Sequence, residues 1–118
     1  MNALVTGASS GIGRDMARYL VKLGYKVFAV GRNKEKLSNL KEELGENVEI
    51  IEKDISTKEK CIELYEEVKN KNIDFVINNA GFGVFGKFTE TDLEKEVNLI
   101  NTNITAVHTL TKLFLKDM

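Results

Sequence analysis

Three glycines near the start of the chain are the residues whose spacing best suits a chemical role. Gly7, Gly11 and Gly13 follow a short apolar run and precede a segment with helical periodicity. Glycines at such a turn let the chain bend tightly and let a pyrophosphate approach the backbone with no Cβ in the way. The helix that follows would direct its free N–H groups at the same phosphates. The spacing predicts a phosphate-binding turn, and a purely structural turn is the alternative for the glycines alone.

Four apolar runs, separated by helical patterns, surround this turn. They extend from Asn2 to Val5, Lys26 to Val30, Val48 to Ile51 and Ile73 to Ile77. Strands that alternate with helices through short links predict a parallel sheet with helices on both faces. Because crossovers are right-handed, we expect one doubly wound α/β domain over residues 1–118, with strand order 3-2-1-4.

The helical segments carry their own end signals. The first is expected to bury one face and to end at Gly24, the face being formed by Ile12, Met16, Leu20 and Leu23. The second is expected to end at Gly45. For the third we expect a capping box from Ser56 to Glu59, and for the long last helix a cap at Thr89 or Thr91.

A second motif follows the fourth predicted strand directly, with the sequence Asn78-Asn79-Ala80-Gly81. Together with Thr6-Gly7-x-x-x-Gly11-x-Gly13 after the first strand, it resembles the signatures of the short-chain dehydrogenase/reductase family. Both motifs stand at the topological positions that this family gives them. The resemblance covers essentially the whole chain and implies a Rossmann-type fold that binds a nicotinamide dinucleotide.

The resemblance implies cofactor contacts in the glycine loop, in the segments that follow the second and third strands, and in the Asn-Asn-Ala-Gly turn. The expected cofactor-binding residues are Gly7, Ser9, Ser10, Gly11, Ile12, Gly13, Arg32, Asp54, Ile55, Asn79, Ala80 and Gly81. Asp54 would face the adenine amine and Ile55 would pack on the ring. A loop or cap role for Asp54 is equally open, and Asn78 and Asn79 could instead tie neighbouring strands together.

Arg32 bears on which nicotinamide cofactor the chain prefers. NAD-binding Rossmann proteins carry an acid about 20 residues beyond the glycine loop, whereas the second strand here ends in Gly31-Arg32-Asn33. A guanidinium can bind a 2′-phosphate that a carboxylate would repel. NADP(H) is therefore favoured over NAD(H), with a solvated surface charge as the alternative. Ser10 stands where many NADP-preferring relatives carry a basic residue.

The family transfers hydride between nicotinamide and a carbonyl or alcohol, and it uses a Ser, a Tyr and a Lys four residues after the Tyr. No serine follows Ser56, and no fifth strand is predicted to carry such residues. The family's water-holding Asn matches Asn103, the expected catalytic residue, although neighbouring asparagines and a plain polar role on the helix surface are alternatives. Tyr65-x-x-x-Lys69 lies too early in the topology and is expected to pack on the sheet.

We therefore expect the cofactor-binding portion of an NADP(H)-dependent oxidoreductase, truncated relative to its family. The alternative is a non-catalytic module that senses NADP(H). The substrate is not indicated, and Phe82, Val84 and Phe85 are candidates for an apolar entrance to its pocket.

Composition narrows the choice of partners. The net charge is −1 and no basic stripe is present, so neither nucleic acid nor an anionic membrane is an expected partner. No apolar run approaches the ~20 residues of a membrane span. One cysteine favours a cytoplasmic protein, and no metal site is predicted. The last helix is apolar on two faces, of which one would cover the sheet and the other would meet either further structure or a second subunit, and the fourth strand would be a sheet edge. Because the family commonly forms a dimer through this helix, the resemblance favours a homo-oligomer through it.

Overall fold

Four parallel strands form the sheet of the computed structural model, which describes residues 1–81, 86–87 and 89–117. The strands are β1 (Asn2–Thr6), β2 (Lys26–Gly31), β3 (Val48–Glu52) and β4 (Ile73–Ile77), and their order is β3-β2-β1-β4. The predicted strand order is therefore confirmed. Phe82, Val84 and Phe85, the candidates for an apolar entrance, lie outside the described residues.

Helices cover both faces of this sheet. They are α1 (Gly11–Lys22), α2 (Lys34–Leu44), α3 (Lys58–Val68), α4 (Leu93–Ile100) and α5 (Ala106–Leu115); a π-helical segment, Asn101–Thr105, joins the last two. Successive strand residues alternate between the faces. Ala3 and Val5 pack with α1 and α2, whereas Leu4 packs with α3 and α5. Burial on both faces explains why the central strands read as continuous apolar runs.

The buried face of α1 differs from the predicted one. Leu20 is buried, but its companions are Gly13 and Ala17, while Ile12, Met16 and Leu23 are exposed. Small residues face the sheet because the helix begins very close to the glycine loop. A Cβ at Gly13 would lie 2.2 Å from the carbonyl oxygen of Gly7, so no larger side chain fits there.

Two predicted helix caps are also wrong. The N-cap of α3 is Thr57, whose hydroxyl accepts the N–H of Lys60 at 3.2 Å. The N–H of Ser56, which a capping box would pair with Glu59, donates instead to Asp54 Oδ1 at 3.0 Å. The N-cap of α4 is Asp92 rather than Thr89 or Thr91.

The last helical segments present the two apolar faces that the sequence predicts. The inner face of α5 is buried through Ala106, Leu110 and Phe114. The outer face leaves four large apolar side chains exposed, those of Leu93, Val97, Ile100 and Ile104. Within the described residues, no helix is both long and apolar enough to cross a membrane.

The hydroxyl of Thr6 joins the carboxyl ends of the two strands that border the glycine loop. Thr6 is 1% exposed, and its Oγ1 accepts the N–H groups of Asn79 and Ala80, each at 3.0 Å. The amide Nδ2 of Asn79 donates to the carbonyl oxygen of Gly7 at 3.3 Å. The loop and the Asn-Asn-Ala-Gly turn are thereby held as one unit.

We predict that Thr57→Ala lowers the free energy of unfolding by about 1 kcal/mol, the usual contribution of an N-cap hydroxyl. Ser56→Ala serves as the control and should cost distinctly less, because the side chain of Ser56 does not cap α3. Urea denaturation followed by circular dichroism measures both. A larger loss for Ser56→Ala would favour the capping box that the sequence suggested.

We predict that Thr6→Val lowers the free energy of unfolding by about 1–3 kcal/mol, because a buried side chain of similar shape no longer accepts two backbone N–H groups. Thr6→Ser keeps the hydroxyl and should retain most of the stability. Denaturant melts of both variants test this. Equal losses for valine and serine would show that packing of the methyl group, and not the hydrogen bonds, is what matters.

Candidate nucleotide-binding site

A cavity of about 310 Å³ opens where the carboxyl ends of the four strands meet. In parallel α/β sheets this is the edge at which ligands bind, next to the point where the strand order reverses. The structure brings together there all the expected cofactor residues except Gly11 and Gly13. The cavity is lined by Gly7, Ser9, Ser10, Ile12, Arg32, Asp54, Ile55, Asn79, Ala80 and Gly81.

The glycines act in different ways at this edge. Gly7 has φ +65°, and a Cβ there would lie 2.9 Å from the Cα of Ala80. Gly13 supports the loop from behind, since a Cβ would strike the backbone of Gly7. Gly11 has φ +59° with open space around it, so its role is conformational. The loop backbone can therefore lie directly against the turn that follows β4.

The start of α1 offers unpaired N–H groups to an anion. Its N-cap, Ser10, makes no side-chain capping bond, and its first turn contains no acidic residue. The first N–H groups of a helix lack intrahelical acceptors, and the helix dipole is positive at this end. The geometry suits a phosphate group placed over the glycine loop.

The opposite wall of the cavity comes from the segment after β3. The backbone of this segment is tied to β2 by a hydrogen bond from the N–H of Lys53 to the carbonyl oxygen of Gly31 at 2.8 Å. Asp54 uses Oδ1 to hold the turn at Ser56, and Ile55 is only 5% exposed. The loop role that the sequence left open for Asp54 is thus present, and the residue also borders the cavity.

Four residues that the sequence did not single out also line the cavity, namely Val30, Gly31, Lys53 and Thr102. Gly31 could have been found from its place at the strand end, where a Cβ would lie 3.0 Å from Cβ of Ser9. Thr102 gives no such signal, because its direction depends on the π-helical segment that contains it. Lys53 already forms an ion pair with Glu67 of α3.

Asn103 stands beside this cavity rather than in its wall. Its side chain lies against the turn after β4, since a Cβ at Gly81 would be 2.7 Å from Asn103 Oδ1. It also borders an exposed groove with His108 and Thr111. Thr111 accepts a hydrogen bond from the amide of Asn78 at 3.1 Å, so that asparagine ties β4 to α5.

Tyr65 and Cys61 have surroundings that suit structural roles. The Tyr65 hydroxyl donates to Asp117, and this bond raises the pKa of the phenol, whereas a general base needs a lower one. The Tyr65 ring packs edge-on against Phe114 at 5.2 Å between centroids. Burial raises the pKa of Cys61 to about 11, which keeps it as an unreactive thiol.

Known proteins resemble this chain over most or all of its length. The family model described as short chain dehydrogenase matches residues 1–118. An uncharacterized oxidoreductase of Staphylococcus aureus (strain USA300) is 38% identical over 105 residues, covering 86% of this chain and 46% of that protein. An NADP-dependent 3-hydroxy acid dehydrogenase of Escherichia coli O157:H7 is 33% identical, covering 100% of this chain and 49% of its own length.

A solved structure agrees with the sequence matches. The closed form of serine dehydrogenase complexed with NADP+ superposes with a TM-score of 0.91 at 33% identity, covering 100% of this chain and 49% of that one. The chain thus spans about half the length of the relatives that it matches. Motifs, strand order and comparisons agree: this chain belongs to the short chain dehydrogenase family.

Proposed function

We propose that this chain is the NADP(H)-binding portion of an oxidoreductase that transfers hydride between nicotinamide and a carbonyl or alcohol. One observation carries the proposal. A single cavity at the carboxyl edge of the sheet is lined by the glycine loop, Arg32, the Asp54–Ile55 segment and the turn after β4. These are the groups that a dinucleotide needs for its phosphates, its adenosine and its nicotinamide ribose.

The polarity of the cavity supports an assignment for each part of the cofactor. The pyrophosphate belongs over the glycine loop, where α1 presents free N–H groups and no acid. The adenine fits beside Ile55, a buried residue whose side chain gives this part of the cavity wall an apolar surface. Asp54 lies at the rim of the cavity. The ribose next to nicotinamide belongs against Asn79, Ala80 and Gly81, and the Thr6 hydroxyl holds the first two in place through their N–H groups.

The charge at the tip of β2 favours the phosphorylated cofactor. Arg32 is exposed at the edge of the cavity, and the two residues that flank it are Gly31 and Asn33. A carboxylate at this position would repel a 2′-phosphate, whereas a guanidinium donates paired hydrogen bonds to it. Two relatives carry NADP in their printed descriptions, the E. coli dehydrogenase and the serine dehydrogenase complex.

Bound NADPH would donate the hydride to a carbonyl, or bound NADP+ would accept it from an alcohol, and the residues described here would hold and orient the cofactor. Asn103 is the residue of this chain that best suits a proton relay, because its side-chain amide lies beside Gly81 and can hold a water molecule there. The serine and the tyrosine–lysine pair that the family resemblance implies have no counterpart here, because no serine follows Ser56 and Tyr65 pairs with Asp117. A non-catalytic NADP(H)-sensing module would use the same site.

We predict that the chain binds NADPH more tightly than NADH, and that Arg32→Ala weakens NADPH binding about 10-fold or more while changing NADH binding less than about 2-fold. Fluorescence titration of the purified chain with each nucleotide measures both constants. Arg18→Ala is the matched control, because Arg18 bonds Glu43 on the helix surface away from the cavity. Equal weakening of both nucleotides by Arg32→Ala would contradict a role in binding the 2′-phosphate.

The exposed apolar face of α4 and the π-helical segment supports self-association through the last helix. Leu93 and Ile104 are 68% and 61% exposed, and Val97 and Ile100 lie between them along the helix. A contiguous apolar patch of this kind is typical of a protein interface. A second copy of the chain is the proposed occupant, because a two-fold axis would pair the same face with itself.

We predict that Ile104→Glu shifts the chain toward monomer, because burying a carboxylate at an apolar interface is costly. Sedimentation velocity over a range of concentrations measures the shift. Ile62→Glu places the same charge on α3, where Ile62 is 40% exposed, and should leave the association unchanged. A wild-type chain that remains monomeric at high concentration would remove this part of the proposal.

A further inference from the structure

A second cavity, wide open to solvent, adjoins the nucleotide cavity on the side of α2. It has a volume of about 590 Å³ and shares Ser9, Ser10 and Arg32 with the first. Its remaining lining residues are Asn33, Lys34 and Lys36, from the start of α2. Three cationic side chains, two serines and one asparagine therefore surround it, with no carboxylate among its lining residues.

The position of Lys36 in this cavity is fixed by its backbone. The side chain of Asn33 caps α2 and accepts the N–H of Lys36 at 3.0 Å. The next N–H, that of Leu37, donates to the carbonyl oxygen of Asn33 at 3.0 Å, and the Leu37 side chain is fully buried. The first turn of α2 is thus anchored to the core, so the backbone of Lys36 has a fixed position. Its side chain lines the same cavity as that of Arg32.

The three cations of this cavity have no acidic partner in the part of the chain that the structure describes. Among the described residues, no carboxylate oxygen lies within 4.0 Å of the charged groups of Arg32, Lys34 or Lys36. Lys53, the other cation near the site, is already paired with Glu67 and has a side chain only 10% exposed. Unpaired positive charge on a concave surface attracts an anion.

We infer that Lys36 is a specificity-determining residue that supplies a second cation to the 2′-phosphate of the adenosine ribose. The inference rests on the proposed NADP(H) function and deepens it. A phosphate monoester carries between one and two negative charges at neutral pH, which one guanidinium does not fully offset. The glycine loop contributes no second positive charge, because Ser10 is neutral. The start of α2 supplies that charge instead.

The test uses two small ligands that differ only in the group of interest, adenosine 2′,5′-bisphosphate and 5′-AMP. Calorimetric titration of the full chain should show Lys36→Ala weakening the bisphosphate about 3- to 10-fold and 5′-AMP less than about 2-fold, the range for one charge-assisted contact at an exposed site. Lys36→Arg keeps the charge and should restore binding. Lys22→Ala removes one exposed lysine of α1 outside the cavity and should have no effect.

The outcomes separate this inference from the proposed function. If the wild-type chain prefers the bisphosphate and Lys36→Ala behaves like Lys22→Ala, Lys36 does not bind the 2′-phosphate and only the inference fails. Equal weakening of both ligands by Lys36→Ala would assign the residue a general structural role and would also overturn it. If the wild-type chain binds the two ligands equally, the NADP(H) preference and the inference fail together.

Discussion

The hydroxyl of Thr6 is the contact on which the nucleotide edge of this molecule depends. It is buried at the end of β1, in the middle of the sheet, and it accepts two consecutive backbone N–H groups from the turn after β4. Buried N–H groups without acceptors are costly, so the turn has little freedom to leave β1. Because the glycine loop begins at the next residue, the loop and the turn share one fixed origin. The cavity between the loop and the turn is therefore small and has a defined shape.

Close backbone contact is the second constraint, and it explains why glycines recur at this edge. The loop lies against Ala80, and the tip of β2 lies against Ser9; at Gly7 and Gly31 a Cβ would approach those neighbours to about 3 Å. With side chains excluded, what remains available to a ligand is backbone N–H, the start of a helix and a few polar side chains. Such a surface binds phosphate well without any formal charge in the loop. Arg32 stands at the edge of the cavity, where we propose that it binds the 2′-phosphate by which the two nicotinamide cofactors differ.

The strand order, and the position of the two motif-bearing turns at one edge of the sheet, could be predicted from the sequence. Both depend on local signals, namely apolar periodicity, short links and glycine spacing. The buried face of α1 could not. Periodicity favours Ile12 and Met16 as core residues, but the nearness of the glycine loop admits only Gly13 and Ala17. The start of α3 was misplaced for a local reason, since Asp54 accepts the Ser56 N–H that a capping box would pair with Glu59. The first difference arises from a contact between segments that no short window of sequence contains; the second arises within one turn, where two local hydrogen-bonding patterns compete for the same N–H.

The π-helical segment Asn101–Thr105 links the cavity to the exposed face of the last helix. A π-turn contains one more residue than an α-turn, so it changes the phase of the faces before and after it. Before it, Leu93, Val97 and Ile100 of α4 are exposed; after it, Ala106, Leu110 and Phe114 of α5 are buried. Within it, Thr102 reaches the cavity wall and Asn103 lies against Gly81. The last helical segments therefore border the site on one side and present an apolar outer surface on another.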